Sequence, residues 1–213
     1  MDNILSAVES SQHCQRNWDL GKTIDPEHLK IFEYVLKTVP SKQNITFYKA
    51  HFIFNRSIIE EIYKNTNTFH PNTEVDFYNP QILSNLLVVF EDVLEYDEVN
   101  ENNEIIAYKL QHLLTPQQKS KIEKNLNNDR QQAIGIASGQ LSLIANYLGY
   151  KTGFCGCYNI NPIAKLLNTE NRISLLLGIG YPNSELLHNA HHLDNDYFSK
   201  VRPKAFVNIS TII

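Results

Sequence analysis

Apolar positions recur along this chain at two periods, and the switches between them predict its elements. Asp25 and Pro26 supply an N-cap and a first-turn proline, after which Leu29, Phe32, Val35, Leu36 and Val39 recur at helical spacing until Pro40. The period then drops to two. Within residues 45–54, Thr46, Tyr48, Ala50, Phe52 and Phe54 alternate with Phe47, Lys49, His51 and Ile53, an aromatic and β-branched pattern that predicts a strand. Residues 86–90 predict a second, more buried strand. Thr115-Pro116 opens a further helical region that crosses the polar residues 125–130 and resumes as the most regular helix of the chain. Its predicted inner face is Ala133, Ile136, Ala137, Gln140, Leu143, Ile144 and Tyr147, with Gly149 at the C′ position. Gly135 and Gly139 inside it each cost roughly 1 kcal/mol relative to Ala, so a close backbone approach, as in a central helix packed on two sides, is expected there. The pattern continues with a Gly/Cys turn (Gly153-Phe154-Cys155-Gly156-Cys157), a short helix over 162–167, an apolar strand over 173–179 and a last strand over 206–213. No internal repeat interrupts this order, and residues 1–213 read as one domain.

Composition narrows the function classes. With 42% hydrophobic and 20% charged residues in 213, the chain has material for a sizeable core. Its 19 Lys and Arg against 23 Asp and Glu lack the basic excess of nonspecific nucleic-acid binding, so no nucleic-acid partner is expected. The acidic stretch at 91–104 reads as a solvated loop. Three cysteines, an odd number, do not describe a disulfide framework, and Met1-Asp2-Asn3 lacks a basic leader, which points to a reducing cytoplasm. No apolar run reaches membrane-span length, so no membrane partner is expected.

Candidate chemistry lies at the ends and at the Gly/Cys turn. Gln12-His13-Cys14-Gln15-Arg16 and Lys200-Val201-Arg202-Pro203 bring cations from opposite ends of the chain, as an anion site closed by folding would need, because Arg and Lys supply charge-assisted donors to phosphate. Cys155 and Cys157, with only Cys14 as a third thiol, fall short of a zinc set, and free cysteines commonly serve as small apolar residues. His188, His191 and His192 form an HxxHH cluster followed by Asp194 and Asp196. No HExxH motif accompanies it, so solvent-exposed histidines on a short helix are expected rather than a metal site.

A set of ordered landmarks resembles the FMN-dependent nitroreductase-like oxidoreductases. They are the Arg-containing turn before Trp18, Pro40-Ser41-Lys42-Gln43-Asn44 before an aromatic strand, Tyr78-Asn79-Pro80-Gln81 before the next strand, the small-residue helix running into Tyr147-Leu148-Gly149-Tyr150-Lys151-Thr152-Gly153, then Leu177-Gly178-Ile179-Gly180-Tyr181-Pro182, and Lys200-Val201-Arg202-Pro203. The resemblance implies an α+β fold, with a central, mostly antiparallel sheet flanked by helices. It implies a homodimer whose FMN sites lie at the subunit interface, NADH or NADPH as electron donor, and a nitro, quinone or enone-like small molecule as acceptor. It places Gln12, His13, Cys14 and Arg16 around the cofactor, Arg16 at the pyrimidine edge of the flavin, and Lys200 and Arg202 at the phosphate. Pro40, Ser41, Lys42 and Asn44 are further cofactor positions, Ser41 and Asn44 coming from the second subunit. Asn79 would bond the ring, and the backbone of Cys155 and Gly156 would lie near N5 and O4.

Three departures from the family pattern stand out. Gln12 occupies a position where members usually carry Arg, Cys14 one where they carry Ser or Thr, and Phe154, Cys155 and Cys157 replace a turn that commonly holds Pro and Glu. A thiol is a weaker hydrogen-bonding group than a hydroxyl. Two readings therefore follow from the sequence: a flavin oxidoreductase, or a relative that keeps the fold and binds flavin or a partner without turnover.

Overall fold

The computed structural model describes residues 2–42, 47–66, 78–92, 97–99, 105–107, 115–183, 207 and 209–210. Its first element, α1 (Asp2–Ser11), is absent from the apolar pattern for a physical reason: Ala7 is buried while Ile4, Leu5 and Val8 face outward, so no inward stripe marks the helix. Helix α2 (Pro26–Thr38) starts where predicted, with the Asp25 carboxylate accepting from the Glu27 N–H at 2.8 Å, and it buries Phe32. Strand β1 (Tyr48–Ile53) follows the alternating segment. Helix α3 (Arg56–Tyr63), capped by the Asn55 side chain accepting from Ile58 N–H, has no counterpart in the sequence reading; its buried residues are only Ile59 and Ile62.

A 3₁₀ turn, Pro80–Ile82, leads into β2 (Leu86–Asp92), every residue of which is buried. The strand outruns its apolar segment because its two terminal carboxylates have partners. Glu91 accepts from Thr169 and Asn171, and Ser174 donates to Asp92. A small antiparallel pair, β3 (Asp97–Val99) and β4 (Ile105–Ala107), precedes α4 (Pro116–Tyr147), and then come β5 (Lys151–Cys155), α5 (Ile160–Leu166) and β6 (Ile173–Gly180). Gly153-Phe154-Cys155, read from sequence as a turn, is therefore strand. Pairing with β6 supplies the ladder, and the turn begins only at Gly156. Of the predicted last strand, Val207, Ile209 and Ser210 are described and belong to no strand; its other residues lie outside the described ones.

The main sheet has the order β1-β2-β6-β5, with every neighbouring pair antiparallel. One face carries Leu86, Val88, Phe90, Leu177 and Ile179 beneath Phe32 of α2 and Ala137, Leu141 and Ala145 of α4. The other carries Leu87, Val89, Leu176, Ile173 and Cys155 beneath Ile59 and Ile62 of α3 and Ile163 of α5. This is an α+β fold, a central antiparallel sheet flanked by helices.

Helix α4 corrects the sequence reading at two points. Its buried residues, among the described ones, are Arg130, Ala133, Ile134, Ala137, Ser138, Leu141, Ser142, Ala145 and Asn146, whereas Ile136, Gln140 and Tyr147 of the predicted inner face are exposed. Apolar side chains lie on more than one side of this helix, so periodicity alone chose the wrong one. A Cβ added at Gly135 or Gly139 would meet no described atom within 4 Å, so the expected backbone approach is not made within the described chain. Gly149 does end the helix at φ +90°, a conformation that favours glycine.

Close approach occurs instead on the sheet. A Cβ at Gly178 would stand 2.1 Å from the Gln81 carbonyl oxygen, and one at Gly153 would stand 2.6 Å from both Gln81 Cβ and the Gln15 carbonyl oxygen. These two glycines let the 3₁₀ turn and the N-terminal turn lie directly on β5 and β6.

Candidate functional site

The N-terminal turn is laid along the edge strand β5. Gln15 N–H donates to the Thr152 carbonyl at 2.8 Å, and the Cys14 thiol points to the Phe154 carbonyl at 3.9 Å. Further along, the Trp18 indole N–H donates to the Pro80 carbonyl at 3.0 Å, and Asp19 N–H to the Tyr181 carbonyl at 2.9 Å. A buried polar seam holds this arrangement on α4. Ser142 Oγ and Thr152 Oγ1 are 2.7 Å apart, Asn146 donates to Thr152 Oγ1 at 3.1 Å, and Ser10 of α1 donates to Asn146 Oδ1 at 2.6 Å, while Lys151 bonds Ser10. Sequence reading missed these residues as site builders. The signal was present in Ser142 and Asn146, polar residues four apart on one helix face.

The fold thus brings Cys14 beside Phe154 and near Cys155, residues roughly 140 positions away in sequence, with Arg16 near Cys14. Gln12 and His13 are exposed, Cys14 and Arg16 half-buried, and Cys155 buried. Gly156 is exposed, and a Cβ there would meet no atom of the described residues within 4 Å, just past the end of β5. Burial pushes the Cys155 thiol up to about 12, with the neighbouring Cys157 and Cys14 adding to the effect. Burial also raises the Cys14 thiol, against the pull of the Arg16 charge nearby.

Asn79 lies under the same turn as a brace. Its amide donates to the Thr66 carbonyl at 2.6 Å and to the Cys157 carbonyl at 3.3 Å, and its Oδ1 accepts from Gln81 Nε2 at 3.1 Å. Gln81 Nε2 also reaches the Phe154 carbonyl at 3.3 Å, while Gln81 Oε1 is buried with no hydrogen-bond partner among the described residues.

Pro40, Ser41 and Lys42 lie elsewhere. The Lys42 ammonium meets Asp129 of α4 at 2.7 Å, and Asp129 stands roughly 20 Å along the helix from Ser142, where the N-terminal turn is anchored. Within one chain these residues and the Arg16 turn therefore mark two separate places. Asn44, Lys200 and Arg202, like the histidine cluster His188, His191 and His192, lie outside the described residues. Among the described residues no group of His, Cys, Asp and Glu is arranged to hold a metal ion, and no helix is long and apolar enough to cross a membrane.

Two other polar features compete for attention. His51 Nε2 and Glu91 Oε2 are 2.5 Å apart on the α3 and α5 side of the sheet. Burial alone would raise the Glu91 carboxyl, but hydrogen bonds from Asn171, His51 and Thr169 outweigh it and hold the pKa below its usual value. A cavity of about 600 Å³ is bordered by Leu20, Ile24, Phe54, Arg56 and Asn85. Its guanidinium is spent on the Leu83 and Ser84 carbonyls, and Asn85 on Asp19 and Lys22, so its polar groups serve the fold.

No protein-family profile and no curated protein matches the chain. Solved structures do. A protein from Exiguobacterium sibiricum assigned as a nitroreductase, in complex with FMN, superposes with a TM-score of 0.64 at 17% identity, over 88% of this chain and 92% of that one. A nitroreductase family protein from Clostridium novyi gives 0.58 at 16% identity over 85% and 86%. The NADPH:FMN oxidoreductase of Vibrio harveyi, complexed with NAD+, gives 0.61 at 12% identity over 95% and 73%. The chain has the nitroreductase fold.

Proposed function

We propose that this protein is an FMN-dependent oxidoreductase that passes a hydride from NADH or NADPH, by way of bound flavin, to a nitro, quinone or enone-like acceptor. The observation that carries the reading is the placement of the turn that holds Cys14, Gln15 and Arg16 against β5, the strand that ends just before Gly156, in a chain with the nitroreductase fold. The residues present fit the group. An exposed glycine lets a flat ring reach the backbone with no side chain between, and the half-buried Arg16, next in sequence to the Gln15 contact with β5, supplies a cation. Bound FMN would supply hydride acceptance and release at N5, with negative charge gathering at the pyrimidine end on reduction. Arg16 stabilises that charge, Gly156 and Cys155 orient the ring through their backbone, and Asn79 fixes the turn by holding the Cys157 carbonyl. Lys200 and Arg202 hold the phosphate in this reading.

The working unit is a homodimer. Ile4, Leu5 and Val8 of α1 and Ile136 and Tyr147 of α4 are exposed apolar side chains on two helices packed together, and the α4 glycines are uncovered. A second copy on this surface covers them and brings its own Lys42 segment to the Arg16 site; within one chain Lys42 meets Asp129, roughly 20 Å along α4 from Ser142. The cytoplasm is the expected setting, where three free thiols stay reduced.

Purification with FMN tests the assignment. A yellow protein that bleaches on addition of NADH or NADPH supports the enzyme; one that binds flavin but never bleaches supports the reading without turnover, to which Gln12 in place of a cation gives some weight. Arg16→Ala is expected to lower the midpoint potential of the bound flavin, read by equilibrium reduction against a reference dye. An unchanged potential would remove Arg16 from this role.

A further inference from the structure

All three cysteines of the chain meet at one place, although Cys14 is separated from the other two by most of the sequence. The β5 contact of Gln15 places Cys14 beside Phe154, and the Cys155 thiol donates to the Cys157 carbonyl at 3.4 Å. Their exposure is graded: Cys155 is buried, Cys14 half-buried and Cys157 open to solvent. We infer that Cys155 and Cys157 form a hydroperoxide-reactive dithiol that closes to a disulfide across Gly156.

The geometry permits that ring. Even if fully extended, residues two apart hold their Cα atoms only roughly 6.6 Å apart, and the strand ends at Cys155, so the pair lies within reach of the roughly 4.4–6.8 Å that a disulfide spans. Among the described residues nothing stands within 4 Å of a Cβ built at Gly156, so none obstructs its adjustment. The Cys155 sulfur already points along the chain toward residue 157.

The reaction balances in two steps. Cys157, the exposed thiol, attacks the hydroperoxide, the O–O bond breaks, and Cys157 becomes a sulfenic acid as the peroxide leaves as an alcohol, or as water from hydrogen peroxide itself. The Cys155 sulfur then attacks the sulfenic sulfur, the S–S bond forms, and water leaves with the Cys155 proton. Two thiols lose two electrons and one hydroperoxide gains them. Closure quickens as pH rises, because the buried Cys155 attacks as a thiolate and burial holds its proton. The source of oxidant rests on the proposed function: bound flavin, once reduced, would supply hydrogen peroxide by reaction with dioxygen. Closing the ring stiffens the Gly156 backbone that would face the flavin, so oxidation alters the site that generated it.

The test uses the full chain, reduced and then treated with added hydrogen peroxide, so that it does not depend on bound flavin. Remaining thiols are alkylated and the peptides are weighed. The expected result is a peptide carrying Cys155 and Cys157 lighter by two hydrogens, with Cys14 still alkylated. In Cys155→Ser, Cys157 should instead be trapped as a sulfenic acid by a 1,3-diketone. Three alkylated thiols after peroxide, a disulfide that includes Cys14, or a Cys155→Ser protein that yields no trapped sulfenic acid would each overturn the assignment. Flavin content measured on the same samples reads the oxidoreductase proposal separately.

Discussion

A methyl group added at Gly178 would sit 2.1 Å from a carbonyl oxygen of the 3₁₀ turn, while one added at Gly156 would touch nothing. The two residues look alike in sequence and carry opposite demands. Gly178→Ala is expected to cost about 1–3 kcal/mol, as overpacking does, and Gly156→Ala to stay within about 0.5 kcal/mol, as surface changes do; urea midpoints for the pair measure both. Glu91 makes a second residue-scale claim. Its folded pKa lies below the ordinary carboxylate value, so the stability it adds is present above that value and is lost as pH falls through the depressed one. Replacing it with Gln, which leaves part of the His51, Thr169 and Asn171 network unpaired, should cost about 1–3 kcal/mol near neutral pH. That difference should shrink on acidification below the usual carboxylate range. A difference that stays constant with pH would show that the charge on Glu91 is not what the network stabilises.

Among the elements, the polar seam between α4, β5 and α1 decides whether the N-terminal turn stays in place. Thr152→Val removes a hydroxyl that bonds Ser142 and Asn146 and leaves both buried, so a loss of about 1–3 kcal/mol is expected. The Gln15 amide, bonded to the neighbouring carbonyl of residue 152, should then exchange its hydrogen faster. What sequence disclosed about the elements follows from what each one buries. α2 and β2 were legible because their apolar residues match a single period or a single run. α1 and α3 were not, because one or two buried side chains make no pattern. β5 hid behind glycine and cysteine, whose strand conformation depends on β6 rather than on local preference. The inner face of α4 was misread because Ile136 and Tyr147 are apolar but exposed. In the candidate site, Arg16 and Gly156 are singled out from sequence by residue type alone, while the contacts of Gln15 with Thr152 and of Gln81 with Gly153 and Gly178 are nonlocal and visible only once folded.

For the whole molecule, the exposed apolar surface of α1 and α4 and the separation of Lys42 from the Arg16 turn argue together for a site completed by a second copy. Ile136→Asp places a charge on that surface without touching the buried face of α4. It is expected to convert a dimer to a monomer in sedimentation, with helix content kept and flavin affinity lowered by about tenfold or more, the scale of one buried charge-assisted contact. A monomeric wild-type chain that binds flavin normally would contradict the two-chain site.

Function in this chain depends on whether it carries flavin as a redox group. The direct measurement is a titration of the purified protein with FMN followed by anaerobic addition of NADH and then NADPH, watching the flavin absorbance. Saturable binding and bleaching by one of the two donors are predicted. A protein that stays colourless after incubation with FMN would contradict the central claim.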